Sequence, residues 1–396
     1  AVDALVLHAA GADTQARAIL DYFAVRLRIP LREVRERADA NGIYGMLKLV
    51  PSVDDPRAVS LVNAINCRSV DAAGQGQAEY WTTPGPAAFM IMAFLQVDRR
   101  DYLPAALALG EALLLMQRED GGITDGDRDA RNVHTEPHMD TYSAFMMLYD
   151  VTADDRWRKA AERAWEWFAR HVYRPQDGVI HQGLRPGGPS EVFATDAYSW
   201  TLARRGGERI PLDEAERLTE RMLRRSLARV TLELPDGKTR TLTLTDFSDG
   251  QDARIMAGRG GFRPMGSVEW AGGVILALQK HAVRSWESGD SAARGKARLY
   301  KALAEFFTRQ ALDSFYELEG IRGLVAFYAT GQWVPTGHGW KTPYFYVKDP
   351  QGRVLARGGS TIGAWPLLPL NRMDPFKLDH DYGRVYDAIP VDDAMR

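Results

Sequence analysis

One cysteine among 396 residues, Cys67, leaves no partner for an internal disulfide and no material for a multi-cysteine zinc site. Such a residue ordinarily serves as a small buried hydrophobe. An excess of one charge is also missing. Fifty Lys and Arg stand against 52 Asp and Glu, a net charge of −2, so no overall field draws the chain to nucleic acid. The most basic run, Arg217 to Arg229, is interleaved with Glu216 and Glu220 and reads as a solvated helix face. No stretch reaches the ~18 apolar residues of a membrane helix, so no membrane span is expected. There is no Gly-x-Ser-x-Gly elbow, and Gly258-Arg259-Gly260-Gly261 lacks the strand–loop–helix setting of a phosphate site. The loop Asp246 to Asp252 lacks the closing Glu of an EF-hand. No cofactor and no metal are called for. The chain opens Ala1-Val2-Asp3 without Met, which points to a processed N-terminus and an extracytoplasmic (periplasmic or secreted) location, although a trimmed chain would look the same.

What is present is a repeat. Asp140-Thr141-Tyr142-Ser143 recurs as Asp196-Ala197-Tyr198-Ser199, an offset of 56 residues. Upstream, Ala88-Phe89-Met90 through Asp120-Gly121-Gly122-Ile123 resembles Ala144-Phe145-Met146 through Asp177-Gly178-Val179-Ile180. A period of this size is a helix pair with two loops, and one pair alone cannot bury both apolar stripes. Neighbouring pairs must therefore stack.

The apolar spacing predicts helices over 14–28, 31–40, 86–96, 102–118, 140–149, 157–171, 196–204, 213–228, 269–285, 292–316 and 320–331, with a last one starting around Ser360. Residues 69–86, rich in Gly, Ala and Pro, read as a long loop carrying Tyr80 and Trp81. Two period-2 segments flank strong turns: Arg229–Leu234 with Thr239–Thr245 around Pro235-Asp236-Gly237-Lys238, and Tyr344–Lys348 with Arg353–Ala356 around Asp349-Pro350-Gln351-Gly352. The expectation is an all-α chain, an (α/α) toroid or incomplete barrel of about five to six helical hairpins with two β-hairpin insertions. No linker divides it, so 1–396 is taken as a single domain with 1–83 as an N-terminal helical and loop extension.

Helix pairs of this period, with Tyr-Ser or Trp-Ala at inner-helix starts and Asp-Gly-Gly at hairpin ends, resemble the (α/α) toroid enzymes of carbohydrate chemistry. These are the six-hairpin glycoside hydrolases, the toroidal polysaccharide lyases and the sugar epimerases of similar shape. Leu148 to Asp154 followed by Trp157 is similar to the turn those folds place between the helices of a hairpin, and the resemblance spans roughly 84–376. It implies a site in the funnel formed by the N-terminal ends of the inner helices. It carries no complete catalytic motif of any one family.

Within that frame the candidates are Asp140, Asp196 and Glu269, each expected at an inner-helix start; for Asp140 and Asp196 helix capping explains the residue as well as acid–base chemistry does. Glu269, amid the small residues of Gly266-Ser267-Val268-Glu269-Trp270-Ala271-Gly272-Gly273, is the favoured functional carboxylate. The loop Asn132 to Asp140 is the densest polar cluster and supplies His134, Glu136 and His138 as acid–base candidates, against ordinary polar packing or metal binding. Thr336 to Tyr344 places His338 beside Trp340, Lys341 and Tyr344, residue types that stack on and orient a sugar, or simply a tight turn. Tyr80, Trp81, Tyr142, Tyr198, Trp200 and Trp270 complete the sugar-binding candidates, each weighed against core packing.

The expected partner is a polysaccharide or oligosaccharide, and the expected activity is glycoside hydrolysis by paired carboxylates. A uronic-acid lyase or C5-epimerase using His134, His138, Tyr142, Tyr198 and Lys341 is the close alternative. A non-catalytic helical scaffold or glycan-binding protein is the alternative of another class.

Overall fold

The computed structural model describes residues 1–27, 82–126, 131–250, 252–261, 264–317, 324–342, 346–348, 350–356, 364–378 and 381–391. It also gives the backbone of three short strands, β1 (Ile43–Tyr44), β2 (Leu47–Leu49) and β3 (Val59–Leu61). Helices begin where the sequence supplies caps. After α1 (Val2–Ala9) and α2 (Asp13–Leu27), α3 runs over Pro84–Met116 but breaks at Asp98, whose backbone is extended. The Asp98 carboxylate accepts the amides of Arg100 and Asp101 at 3.0 Å each, starting a second helix. That second half folds back, because Gly126 beyond its end lies against the carbonyl of Thr82 before its start. A Cβ at Gly126 would stand 2.1 Å from that oxygen, and the residue has φ +64, so glycine is required twice over.

The hairpins that follow are α4 (Thr135–Thr152) with α5 (Asp155–His171), α6 (Thr195–Ala203) with α7 (Leu212–Ser226), and α9 (Val268–Glu287) with α10 (Ser291–Leu312). A short α8 (Ala253–Gly258) lies between, and α11 (Leu367–Leu370) and α12 (Tyr382–Ala388) come last. In α5 the residues Trp157, Ala160, Ala161, Ala164, Trp167 and Phe168 are buried at helical spacing, while its Arg, Lys and Glu residues face outward. This is the signature of an outer helix.

The inner helices form a closed ring. The first half of α3 packs on α4, α4 on α6, α6 on α9 and α9 on α11; α1 then contacts both α11 and α3. The fold is thus an all-α toroid, with six helix pairs among the described residues and the α1–α2 pair completing the circle. Small residues permit the close approaches: a Cβ on Gly110 would meet Leu148 and Trp157, and one on Gly273 would meet Trp200, each within 3 Å.

After the short strands β4 (Val133–His134), β5 (Tyr173–Arg174), β6 (Val179–Ile180), β7 (Gly183–Arg185) and β8 (Gly188–Pro189), the first expected insertion is present as β9 (Leu227–Glu233) and β10 (Thr239–Thr245), antiparallel, with Glu233 opposite Thr239. Its buried side, Val230, Leu232, Leu242 and Leu244, packs against Val268 and Ala271 at the start of α9. The second is present as Tyr346–Lys348 paired with Val354–Ala356. The expected helix over 320–331 is not found in its described part. Leu324–Val325 is a strand paired with Tyr316–Glu317, and Ala329 bridges to Ser267. Backbone pairing to neighbouring segments outcompetes a short helix there, and the same pairing ends α10 before Tyr316. The helix expected over 31–40 and the loop 69–81 lie outside the described residues.

Two buried histidines fasten the inner layer to the outer one. His138 accepts the Ile123 amide at Nδ1 (3.1 Å) and donates from Nε2 to the Ala164 carbonyl (2.8 Å). Burial lowers its pKa to about 4, and that of His281, edge-on to Tyr300, to about 3. Both pKa values lie below the unfolded 6.5, so the unfolded chain binds protons first as pH falls, and stability is lost below about pH 6.5. Between pH 7 and pH 5 the loss is about 2 kcal/mol per histidine. Between pH 7 and pH 5, urea unfolding of His281→Phe should lose about 2 kcal/mol less than the wild type does; an equal loss in the two proteins counts against this assignment.

Candidate active site

At one end of the ring the starts of α4 and α6 are each tied to the segment that leads into the next hairpin, and the start of α9 is tied to the end of the strand that precedes it. Thr135 donates its amide to Gln182 O (2.8 Å) and its hydroxyl to His181 O (2.7 Å). Thr195 repeats the pattern, giving its amide to Phe247 O (3.2 Å) and its hydroxyl to Asp246 O (2.6 Å). Ser267 donates its amide to Thr245 O (2.9 Å), while its Oγ caps the Trp270 amide (3.2 Å). Counted from the helix starts, the second residues of α4, α6 and α9 are Glu136, Asp196 and Glu269. All three are half-buried, whereas Thr135, Thr195 and Val268 beside them are fully buried.

The repeated Asp140 and Asp196 are therefore not equivalent in space. α4 starts five residues before Asp140, whereas α6 starts one residue before Asp196, so α4 carries an extra turn at its N-terminal end. Asp140 is carried one turn down the ring and fully buried, and Glu136 occupies the level expected for it.

Asp140 and Glu136 meet at Arg204, which follows the last residue of α6. Its side chain is fully buried; Nη2 touches Asp140 Oδ1 and lies 3.6 Å from Glu136 Oε1, a carboxyl that is 34% exposed. The guanidinium lies over the rings of Trp200 (5.3 Å) and Phe376 (5.1 Å). Burial, assisted by Glu136, pushes Asp140 well above the usual carboxylate range, with Arg204 opposing.

A second cluster forms the roof. His338 Nε2 reaches Phe247 O (2.9 Å) and Ser248 Oγ (2.7 Å), and Ser248 Oγ itself donates to Thr336 O (2.8 Å). His338 therefore carries its proton on Nε2, leaving Nδ1 to accept from Gln182 Nε2 (3.1 Å), whose Oε1 accepts from Ser190 Oγ (3.1 Å). This chain holds together the segments before α6, after β10 and around 331–342. Beneath it Asp246 receives Arg259 in two bonds (2.7 and 2.8 Å) and the Met265 amide (2.9 Å). Arg259 also donates to the carbonyls of Pro335 (2.8 Å) and Thr336 (3.1 Å). Trp270 and Trp340 pack on Phe247. The Lys341 ammonium sits 5.4 Å over Trp333, which has φ 56, a left-handed backbone strained for so bulky a residue. At the ring's edge His134 Nδ1 pairs with the buried Asp125 at 2.9 Å.

The sequence candidates thus separate. Glu136, Asp196, Glu269, His134, His338, Trp270, Trp340 and Lys341 lie on the helix-start end, with Asp140 one turn below. His138 corrects the expectation of an acid–base role, because both its nitrogens are consumed by backbone in the core. Tyr142 is buried against Trp165, Tyr198 accepts the Ile180 amide (3.2 Å) under Phe193, and Trp200 stacks on Trp365 (4.3 Å). None of these three offers an open face to a sugar, which corrects their assignment as stacking residues. Tyr80, Trp81 and Tyr344 lie outside the described residues. Arg204, Asp125, Gln182 and Trp333 were not singled out by sequence, since no local spacing links them to their partners.

The ring and its polar end define the class: an (α/α) toroid, the architecture that the sequence resembles. Residues 86–183, covering most of α3 together with α4 and α5, match the sequence model of the N-acylglucosamine 2-epimerase (GlcNAc 2-epimerase) family. No curated protein sequence matches. Among solved structures the chain is similar to the unsaturated glucuronyl hydrolase of Bacillus sp. GL1, with 14% identity over 72% of this chain and 73% of that one, and a TM-score of 0.48. It is also similar to a D-mannose isomerase (11% identity, 90% and 97% covered, TM-score 0.47). A third is a family 76 mannosidase from Bacteroides thetaiotaomicron (9% identity, 73% and 68% covered, TM-score 0.41).

Proposed function

We propose that the chain is a carbohydrate-active enzyme that admits a polysaccharide or oligosaccharide at the helix-start end and hydrolyses it with two carboxyls. Glu136 is the proton donor and Glu269 the base or nucleophile. The observation that carries this reading is the setting of Glu136. Stabilising a helix N-terminus explains an acidic residue in a first turn. It does not explain why that carboxyl lies beside a wholly buried guanidinium that is already ion-paired with a second carboxyl, that of Asp140. The roof of His338, Trp340 and Lys341 supplies the aromatic and cationic surface that orients a sugar.

A second reading, sugar epimerisation, rests on the family match over 86–183. It uses the same end of the ring, with two groups exchanging a proton at a sugar carbon.

The test is a panel of neutral and uronic-acid glycans incubated in deuterated buffer. Reducing ends without ultraviolet absorbance support hydrolysis. Deuterium entering a sugar carbon without new ends supports epimerisation, and an unsaturated uronide supports elimination. Binding with none of these signals overturns the enzyme reading.

A further inference from the structure

The Asp140 oxygens are fully buried and, among the described residues, accept no well-aligned hydrogen bond, although Arg204 Nη2 touches one of them as an ion pair. The Arg204 nitrogens are equally without an acceptor in bonding geometry. A buried ion pair whose members make no well-aligned hydrogen bond is costly and calls for an explanation. Here the explanation is geometric. Asp140 faces a second carboxyl, that of Glu136 one turn earlier on the same helix, and the same nitrogen stands at both. Two ionised carboxylates cannot hydrogen-bond each other, but one proton between them makes the missing bond. The count of charges agrees: two carboxylates and one guanidinium leave −1, and a single added proton makes the trio neutral. Among the described residues, the charged groups facing Asp140 are Glu136 on its own helix and Arg204 just past the end of α6, while on α3 the near residue is Gly85.

We propose that Asp140 and Glu136 share one proton across the face of Arg204, with Asp140 as the buried store and Glu136 as the carboxyl that delivers it to the substrate. In the hydrolytic reading on which this inference rests, Glu136 gives its proton to the leaving glycosidic oxygen and becomes a carboxylate. That proton is the shared one, so both carboxyls are then ionised, Asp140 is left as a carboxylate paired with the Arg204 cation, and the water that completes the hydrolysis returns one proton to the pair. Asp140 never touches the sugar, so it is a positioning and proton-holding residue.

Infrared spectroscopy of the intact protein in deuterated buffer at neutral pH tests the sharing without any substrate. The wild type should show the carbonyl stretch of a protonated carboxyl, and Asp140→Asn should lack it. Glu136→Gln should lack it too, because Asp140 alone would then pair with Arg204 as a carboxylate. Absence of the band in the wild type, or its survival in either variant, overturns the proposal. Glu136 is partly exposed, so Glu136→Gln keeps the test available if Asp140→Asn does not fold. Where turnover is found, the alkaline limb of the Asp140→Asn pH profile should move to lower pH by about one unit or more. An unmoved limb overturns the delivery step. A protein with the band but no turnover of any glycan would retain the shared proton while losing the functional reading.

Discussion

Replacing Glu269 by Gln is expected to leave the ring folded, leave glycan binding nearly unchanged and lower kcat by roughly 10²–10⁴-fold. The amide keeps the shape of the side chain in the first turn of α9, where Ser267 caps the helix independently. The loss to stability is that of one negative charge near a helix N-terminus, roughly 0.3–1 kcal/mol, too small to explain an activity loss of that size. What the amide cannot do is accept a proton or form a glycosyl ester. Steady-state kinetics on the glycan identified by the panel, set beside a melting curve, separates the two effects. A variant that melts slightly lower but turns over normally would make Glu269 a helix-dipole partner and nothing more. Asp196→Asn is the matched control. Its carboxylate already accepts the Ala197 amide at 2.7 Å, and its removal should cost stability rather than turnover.

The largest loss of stability is expected at Arg259. Its side chain and that of Asp246 are almost entirely buried, and Arg259→Met leaves a carboxylate in the interior with only the amides of Met265 and Ser248. Breaking a buried pair by removing one partner costs about 3–5 kcal/mol. The same change frees the carbonyls of Pro335 and Thr336, so the segment carrying His338 loses its anchor as well. Urea unfolding should therefore register the full loss, and any glycan affinity should fall with it. The double variant Arg259→Met with Asp246→Leu should recover much of the stability, because a matched apolar pair removes the uncompensated charge. If the single variant unfolds at the wild-type midpoint, the pair does not hold the roof.

The architecture was largely legible because helix periodicity is a local signal. Trp157 to Phe168 is amphipathic enough to be an outer helix on any reading, and the β9–β10 turn is written in Pro-Asp-Gly-Lys. The insertion strands also alternate as expected, down to the burial of Val230 and Leu232. The levels of the site were less legible. The two Asp-x-Tyr-Ser repeats place Asp140 and Asp196 in register along the chain, yet the helices that carry them start a turn apart. Only the pairing of Thr135 with 181–182 and of Thr195 with 246–247 fixes which carboxylates share a level. A one-turn extension keeps the same face inward to within about 40°, so it leaves the apolar pattern intact and goes unseen in it. The roof was the least legible part. His338, Gln182 and Ser248 are distant in sequence and meet only through tertiary hydrogen bonds, as do Asp246 and Arg259. Nothing in local spacing encodes such meetings.

The contact of α1 with both α3 and α11 bears on how the protein comes apart. A linear solenoid ends in repeats whose outer faces must be made polar, and it can fray from either end one unit at a time. A circle has no terminal unit: every inner helix has two neighbours, and none carries a capping face of its own. Pulling one pair out exposes apolar surface on both sides of the gap at once. Loss of any one sector is thereby tied to loss of the rest, and the helix-start end is held at a fixed circumference for as long as the circle holds.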